Sequence, residues 1–280
     1  MNAETAKFSD TGLWRLIMTI EESGMSAFLK NTVGGEGESE TVRLFSRNWD
    51  KDNDRLLSRI EETIYDNPRV LEDFSTHIVI TASKSLWIPE NMTEDGEFDD
   101  KFYTTVFPAE HEDIFSDFNA KEVCAYTLVP GLKSFLQRSL PGCRISSHLT
   151  LLKETFETLE MKRIEGVGSE REESVYVNIR DGQVDIFAFC DGNFLCGVTH
   201  ECRDASDMAY KLLLTSFNYR FDSDKAKLMI VGNENEVSAL NEIAGEIFPN
   251  TFHLDRPTFC SGMGVPLSTA LAAGYRLDRP

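Results

Sequence analysis

The sequence predicts a mixed α/β protein made of two halves that repeat one order of elements, β-β-β-α-β-α-β. Three observations predict this fold class. In each half, three strand-like runs come first, and helices then alternate with single strands. Two Asp-Gly pairs, at 181–182 and 191–192, separate runs of alternating apolar residues, a pattern typical of hairpin turns. Apolar residues at helical spacing begin only after these runs end.

The second half shows the three-stranded meander most clearly, over residues 174–180, 183–190 and 194–201. A two-residue turn at 181–182 places six aliphatic residues on one face, and only this register does so. The aliphatic face consists of Val175, Val177, Ile179, Val184, Ile186 and Ala188. The other face carries Tyr176, Asn178, Arg180, Asp185, Phe187 and Phe189.

The rest of the second half predicts helices alternating with short strands. Asp204 is a suitable N-cap for a helix over 205–217, followed by a strand at 227–231, a helix at 236–247 and a strand at 251–254. The apolar positions expected to pack inward are Ala205, Met208, Ala209, Leu212, Leu213 and Phe217. Residues 261–264 are interpreted as a turn before a last helix at 267–273.

The first half begins with the same order. Strands are predicted at 13–20, 25–33 and 41–46, then a helix at 54–65 and a strand at 77–82. An irregular acidic region covers 88–112. A strand at 122–129, a helix at 131–140, a strand at 143–147 and a helix at 149–161 follow.

The domain boundary is predicted in residues 163–173, because this segment is charged, contains two glycines and has no apolar period. We therefore expect a first domain over 1–165, with an insertion around 83–121, and a second over 172–280. A length of 280 residues suits two domains of ordinary size.

The overall charge is strongly acidic, since 28 basic residues stand against 47 acidic ones and leave a net charge of −19. Nucleic acids and anionic membranes need a basic surface, so neither is expected as a partner. The N-terminus is polar, and no run approaches the roughly 18 apolar residues that a spanning helix needs. These features predict a cytoplasmic protein without membrane insertion.

Cysteine and histidine positions indicate neither a metal site nor a catalytic centre. The six cysteines lack paired ligand spacing and are interpreted as buried free thiols, and the five histidines are scattered. His148, at a predicted helix start, is interpreted as a surface or capping residue.

The order of elements, more than any single motif, carries a family resemblance. The stretch EVCAYTLVPGLKSFLQRSLPGCRISSHLTLLKETF is followed by the meander SVYVNIRDGQVDIFAFCDGNFLCGV. This arrangement resembles the actin-like ATPase fold of sugar kinases, heat-shock ATPases and actin, with its duplicated ribonuclease H-like domains. Among them it is most similar to bacterial pilus-assembly actin-like proteins. The chain also looks like an uncharacterised bacterial family of unknown function with this fold, and the resemblance covers most of 13–255.

The resemblance implies a nucleotide site formed by two Asp-x-Gly turns, in which glycine admits phosphate and aspartate organises the metal ion. Here the first turn is 21–24, with Glu in place of Asp. At the second, 177–180 reads Val-Asn-Ile-Arg where Val-Asp-Ile-Gly is expected. A third, adenosine-contacting Gly-Gly is Gly-Asn, followed by two glutamates. If a nucleotide binds, its contacts would be Glu22, Ser23, Gly24, Asn178, Asp181, Gly182, Gly232 and Asn233.

These departures favour hairpin turns over phosphate loops, with Arg180 in a cross-strand ion pair near Asp185. The main hypothesis is therefore a non-catalytic actin-like scaffold without a cofactor, which binds a protein or peptide in its interdomain cleft. The alternative is a divergent ATP-binding protein, an ATPase or kinase using Mg-ATP. A ribonuclease H-type nuclease would need clustered carboxylates, and Glu21 and Glu22 alone are too few.

Overall fold

The computed structural model describes residues 10–33, 40–50, 55–93, 100–108, 113–119, 121–164, 171–180 and 182–277. The chain forms two compact units. The first contains Met1–Thr150 with Ala272–Tyr275, and the second contains Leu151–Leu271 with Arg276–Pro280. The division thus falls after Thr150, whereas the sequence predicts the boundary in residues 163–173.

The first unit is built around a five-stranded mixed sheet in the order β3-β2-β1-β4-β8. The strands of this unit are β1 (Trp14–Glu21), β2 (Gly24–Asn31), β3 (Thr41–Asn48), β4 (Ser75–Ile80), β5 (Ser85–Pro89), β6 (Ile114–Phe118), β7 (Glu122–Thr127) and β8 (Arg144–Ser147). Its helices are α1 (Leu56–Asp66), α2 (Asp100–Val106) and α3 (Leu132–Ser139).

One face of this first sheet packs into the apolar core of the unit. Alternate residues of β1, among them Leu16, Met18 and Ile20, lie on this face because strand side chains alternate between the two sides. The core continues into α1 and α3 through residues such as Ile60 and Phe135.

The insertion has more structure than its acidic sequence suggests. Strands β5, β7 and β6 form a separate antiparallel sheet, and α2 lies within the region expected to be irregular. The predicted strand at 122–129 is β7, and it belongs to this small sheet. Its apolar side chains pack there, with the rings of Phe115 and Tyr126 stacked at 5.6 Å.

The second unit repeats the strand order of the first, β11-β10-β9-β12-β13. The helix α4 (His148–Ile164) leads into β9 (Glu173–Arg180), β10 (Gln183–Cys190), β11 (Asn193–Glu201), β12 (Lys227–Val231) and β13 (Thr251–His253). The remaining helices are α5 (Ala205–Asn218), α6 (Glu234–Ala244), α7 (Thr258–Met263) and α8 (Leu267–Ala272). Duplication of the two sheets is confirmed.

The predicted register of the meander is confirmed. Gln183 pairs with Arg180 and Ile186 pairs with Val177, so 181–182 is a two-residue connection. All six predicted aliphatic residues are buried in one core with residues of α5 and α6. On the other face, α4 packs against the sheet, and the ring of Phe156 stacks on Tyr176 at 4.9 Å. This packing explains why most of α4 belongs to the second unit.

Two details of the second half were predicted wrongly. Within α5, whose cap Asp204 accepts from the Asp207 N–H, Leu213 and Phe217 are 44% and 78% exposed. Met208, Ala209 and Leu212 form the buried stripe. Residues 261–263 are the end of α7, and the turn itself is Gly264 at φ 61°.

Candidate nucleotide site

The first unit brings the ends of three parallel strands to one edge of its sheet. β1 runs parallel to β4, and β4 runs parallel to β8, so Glu21, Ile80 and Ser147 end their strands on the same side. In open α/β sheets, ligands bind at the carboxyl ends of strands. This edge therefore includes the predicted first turn.

The turn itself, Glu22-Ser23, connects β1 and β2 and is fixed by Trp49. The Glu22 carbonyl accepts from the Trp49 indole N–H at 2.9 Å, and the Ser23 carbonyl accepts from the Trp49 backbone N–H at 3.0 Å. Neither turn residue has a positive φ. Trp49 thus holds the turn through its two carbonyls.

Gly24 is required by the neighbouring strand. A Cβ at this position would stand 2.9 Å from the Arg47 carbonyl and 2.9 Å from Asn48 Oδ1. A side chain would therefore push β3 away from β2. Strand packing explains this glycine without a phosphate.

In the second unit, the polar residues of the second motif surround a buried carboxylate. Asp185 is fully buried in the middle of β10. The Arg180 guanidinium donates to both of its oxygens, at 2.9 and 3.0 Å. Asn178 Nδ2 donates at 2.8 Å and Thr199 Oγ1 at 2.7 Å. The predicted ion pair of Arg180 is confirmed, and it is bidentate.

Gly182 lies at the end of this hairpin with φ +67°, a backbone conformation that favours glycine. Its carbonyl accepts from the Cys202 N–H at 2.9 Å. Asp181 lies outside the described residues.

The third motif position is the start of α6. Asn233 is the N-cap, and its Oδ1 accepts from the Glu236 N–H at 3.1 Å. The Asn233 side-chain Nδ2 also donates to the Glu236 carboxylate, so both polar groups of this side chain are used at the start of α6. A Cβ on Gly232 would stand 3.0 Å from Ile179, hence close packing explains this glycine. Val231 pairs with Asn178, which brings the second and third motif positions together.

A partly buried carboxylate that contacts the end of β8 was missed from the sequence. Asp117 of β6 accepts from the Ser147 N–H at 2.6 Å and from the Tyr126 hydroxyl at 3.1 Å. Burial raises the pKa of the Asp117 carboxyl, although these donors oppose the shift. His148 is fully buried and its Nδ1 accepts from the Ala82 N–H at 3.3 Å, so its assignment to the surface was wrong. Partners this distant along the chain leave no local signal.

The described part of the chain contains no cluster of metal ligands, no disulfide and no membrane-spanning helix. No group of three or more His, Cys, Asp or Glu side chains there is placed to hold a metal ion. All six cysteines are free thiols, as predicted, but only Cys124, Cys202 and Cys260 are buried. No described helix is long and apolar enough to cross a membrane.

The fold matches solved structures over nearly its whole length. A protein of Bacteroides thetaiotaomicron described as having an actin-like ATPase fold and unknown function aligns with TM-score 0.74 and 16% identity. The match covers 96% of this chain and 99% of that one. A structure described as the PilM–PilN type IV pilus biogenesis complex aligns with TM-score 0.54 and 9% identity, over 92% of this chain and 96% of that one.

The protein therefore has the actin-like ATPase fold, as the resemblance implied. The family model described as "Protein of unknown function (DUF3822)" matches residues 7–250, and the chain belongs to that family. No curated protein matches the chain.

Proposed function

We propose that this protein is a non-catalytic actin-like scaffold that works in the cytoplasm by binding another protein. The main observation in its favour is the bidentate ion pair between Arg180 and Asp185. Arg180 ends the strand at which proteins of this fold are expected to present a carboxylate and a glycine to Mg-nucleotide. A guanidinium committed to a buried carboxylate is unavailable to a phosphate, and its removal would leave that charge unpaired.

The other two motif positions support the same proposal. Gly24 of the first turn is explained by its close approach to the Arg47 carbonyl, and the side-chain Oδ1 of Asn233 caps its own helix. Glu234 and Glu236 also lie in the first turn of α6, where they repel an anionic ligand. Each glycine and amide of the motif thus has a structural role of its own.

A protein partner is the kind of ligand that such a scaffold would bind. One protein of this fold is described as part of a complex, PilM with PilN. We extend only that mode of action, assembly with another protein, to this chain.

Isothermal titration calorimetry with Mg-ATP and a phosphate-release assay test the proposal. We expect no heat of binding at millimolar nucleotide and no turnover above the background of Glu22→Ala. Tight binding by the wild-type protein, or turnover abolished by Glu22→Ala, would favour the divergent ATPase or kinase instead.

A matched variant sharpens this test. Asn178→Asp combined with Arg180→Gly restores the residue types expected at the second turn. If the wild-type protein gives no heat of binding and this variant binds Mg-ATP, the ion pair of Arg180 with Asp185 is what removes nucleotide affinity. Binding that is equal in both proteins would contradict the role given to Arg180.

A further inference from the structure

The outer face of α5 carries a stripe of large apolar side chains. The stripe consists of Tyr210, Leu213, Leu214 and Phe217, which are 58%, 44%, 38% and 78% exposed. Their spacing of i, i+3, i+4 and i+7 places them on one side of the helix, each beside the next. We call these four residues the α5 stripe. It runs along two turns of helix, a length of roughly 10 Å.

The fold of the second unit uses the opposite face of α5. Met208, Ala209 and Leu212 belong to the apolar core of the unit. The outer face of a surface helix is ordinarily polar or charged. In α5 the only charged residues are Asp207 and Lys211, and neither belongs to the stripe. An apolar outer face, on a helix that already buries its inner face, indicates a surface that binds a partner.

The size of the stripe suits one helix better than a whole protein. At roughly 200 Å² for a complete large side chain, the exposed fractions leave about 400 Å² of apolar surface. A stable dimer of two copies needs about 800 Å² from each partner. The stripe supplies about half of that area, and its narrow, straight form matches the contact line between two packed helices.

The charges around the stripe favour a basic occupant. Helix α6 contacts α5, and residues 234–246 contain no Lys or Arg. The glutamates of this segment are Glu234, Glu236, Glu242 and Glu246. The charges of α5 itself cancel, and so do those of residues 203–204 and 219–225. The charge beside the stripe is therefore negative, which attracts a basic partner and repels a second copy of this acidic chain.

We propose that the α5 stripe binds a basic amphipathic helix of a partner protein. The apolar side chains of that helix pack between those of the stripe, and its Lys or Arg residues pair with the glutamates of α6. The surface belongs to the second unit alone. This inference rests on the proposed function, since it names the place where such a scaffold binds its partner.

Fluorescence anisotropy on the full chain tests this inference, with a labelled amphipathic Leu-Lys peptide of about four helical turns as the probe. The double variant Leu213→Ser, Phe217→Ser should bind the peptide at least about tenfold more weakly than the wild type. The matched control, Leu71→Ser with Phe118→Ser, removes the same residue types from exposed positions of the first unit and should retain the affinity. Thermal melts establish that both variants fold.

A second pair of variants tests the charge of the partner. Glu242→Lys with Glu246→Lys should weaken peptide binding by about threefold or more at low salt, and less as salt screens the charges. Glu72→Lys with Glu90→Lys makes the same change in net charge in the first unit and should have a smaller effect. A peptide with Glu in place of Lys should not bind to the wild-type protein.

Several results would overturn the inference. They are no binding of the Leu-Lys peptide by the wild type, equal losses in the stripe and control variants, and equal binding of the Leu-Glu peptide. A wild-type dimer in sedimentation that Leu213→Ser, Phe217→Ser dissociates would make the occupant a second copy. Tighter binding to phosphatidylcholine vesicles than to the peptide would make it a membrane. None of these measurements involves nucleotide, so Mg-ATP binding contradicts the proposed function separately.

Discussion

The two five-stranded sheets share one strand order, but their first hairpins end differently. In the first unit, Glu21 pairs with Gly24 across the turn, and Trp49 holds the turn by its carbonyls. In the second unit, Arg180 pairs with Gln183, and its guanidinium turns back onto Asp185. The same backbone position therefore carries a carboxylate in one unit and a cation in the other.

The faces opposite the two apolar cores differ as well. In the second sheet this face is aromatic, and Tyr176 and Phe187 pack against Phe156 of α4. In the first sheet the middle of the corresponding face is also buried, but it is lined by the aliphatic residues Ile17 and Val79 beside Phe28. The duplicated topology thus keeps the strand order, while the side chains that line the second face differ between the two units.

The largest effect is expected from breaking the ion pair of the second hairpin. Arg180→Ala leaves the fully buried Asp185 with only its neutral donors, so the free energy of unfolding should fall by about 3 kcal/mol. Urea unfolding measures the loss. Asp185→Asn added to Arg180→Ala should recover part of it, because the unpaired charge is removed.

An exposed ion pair of the same unit is the control for this prediction. Arg203 is 89% exposed and bonds to Asp207, so Arg203→Ala should cost less than about 0.5 kcal/mol. If Arg180→Ala and Arg203→Ala lower the free energy of unfolding by similar amounts, the buried ion pair stabilises the protein no more than the exposed one.

The buried histidine of the first sheet, His77, should make stability depend on pH. His77 is buried, its ring bonds to Ser146 Oγ at 3.0 Å, and its pKa is lowered from 6.5 to about 4. Between these values the unfolded chain binds a proton that the folded protein does not. The free energy of unfolding should therefore fall by about 3 kcal/mol as pH decreases from about 6.5 to about 4.

His77→Gln separates this effect from general acid denaturation. Urea unfolding at several pH values should give a flatter profile for His77→Gln than for the wild type over this range. Parallel profiles would mean that His77 is protonated equally in the folded and unfolded protein.

Patterns within one hairpin were predictable from the sequence, and long-range partners were not. The register across 181–182 followed from six aliphatic residues, and Asp185 stood out as a charge inside an apolar run. Asp117 and Ser147 are 30 residues apart, and nothing local indicates that they meet. Strands β5 and β6 of the insertion were missed for a local reason, because acidic residues surround their short apolar runs.

The first hairpin should lose stability through crowding. Gly24→Ala places a methyl group 2.9 Å from the Arg47 carbonyl, so strand β3 must shift, at a cost of about 2 kcal/mol. Thermal unfolding measures the change. Ser23→Ala, one residue earlier, is the control and should be within about 0.5 kcal/mol of the wild type. If the two variants melt alike, Gly24 has a role other than packing.

The second hairpin should lose less, and for a different reason. The nearest atom to a Cβ on Gly182 is the Cys202 carbonyl oxygen at 4.0 Å, so Gly182→Ala meets no steric obstacle. Its φ of +67° alone should reduce the free energy of unfolding by about 1 kcal/mol. Asparagine tolerates this conformation better than alanine, as Asp191 does at φ 49° in the next turn. Urea unfolding should therefore rank Gly182→Asn between the wild type and Gly182→Ala, and an alanine variant as stable as the wild type would contradict the turn conformation.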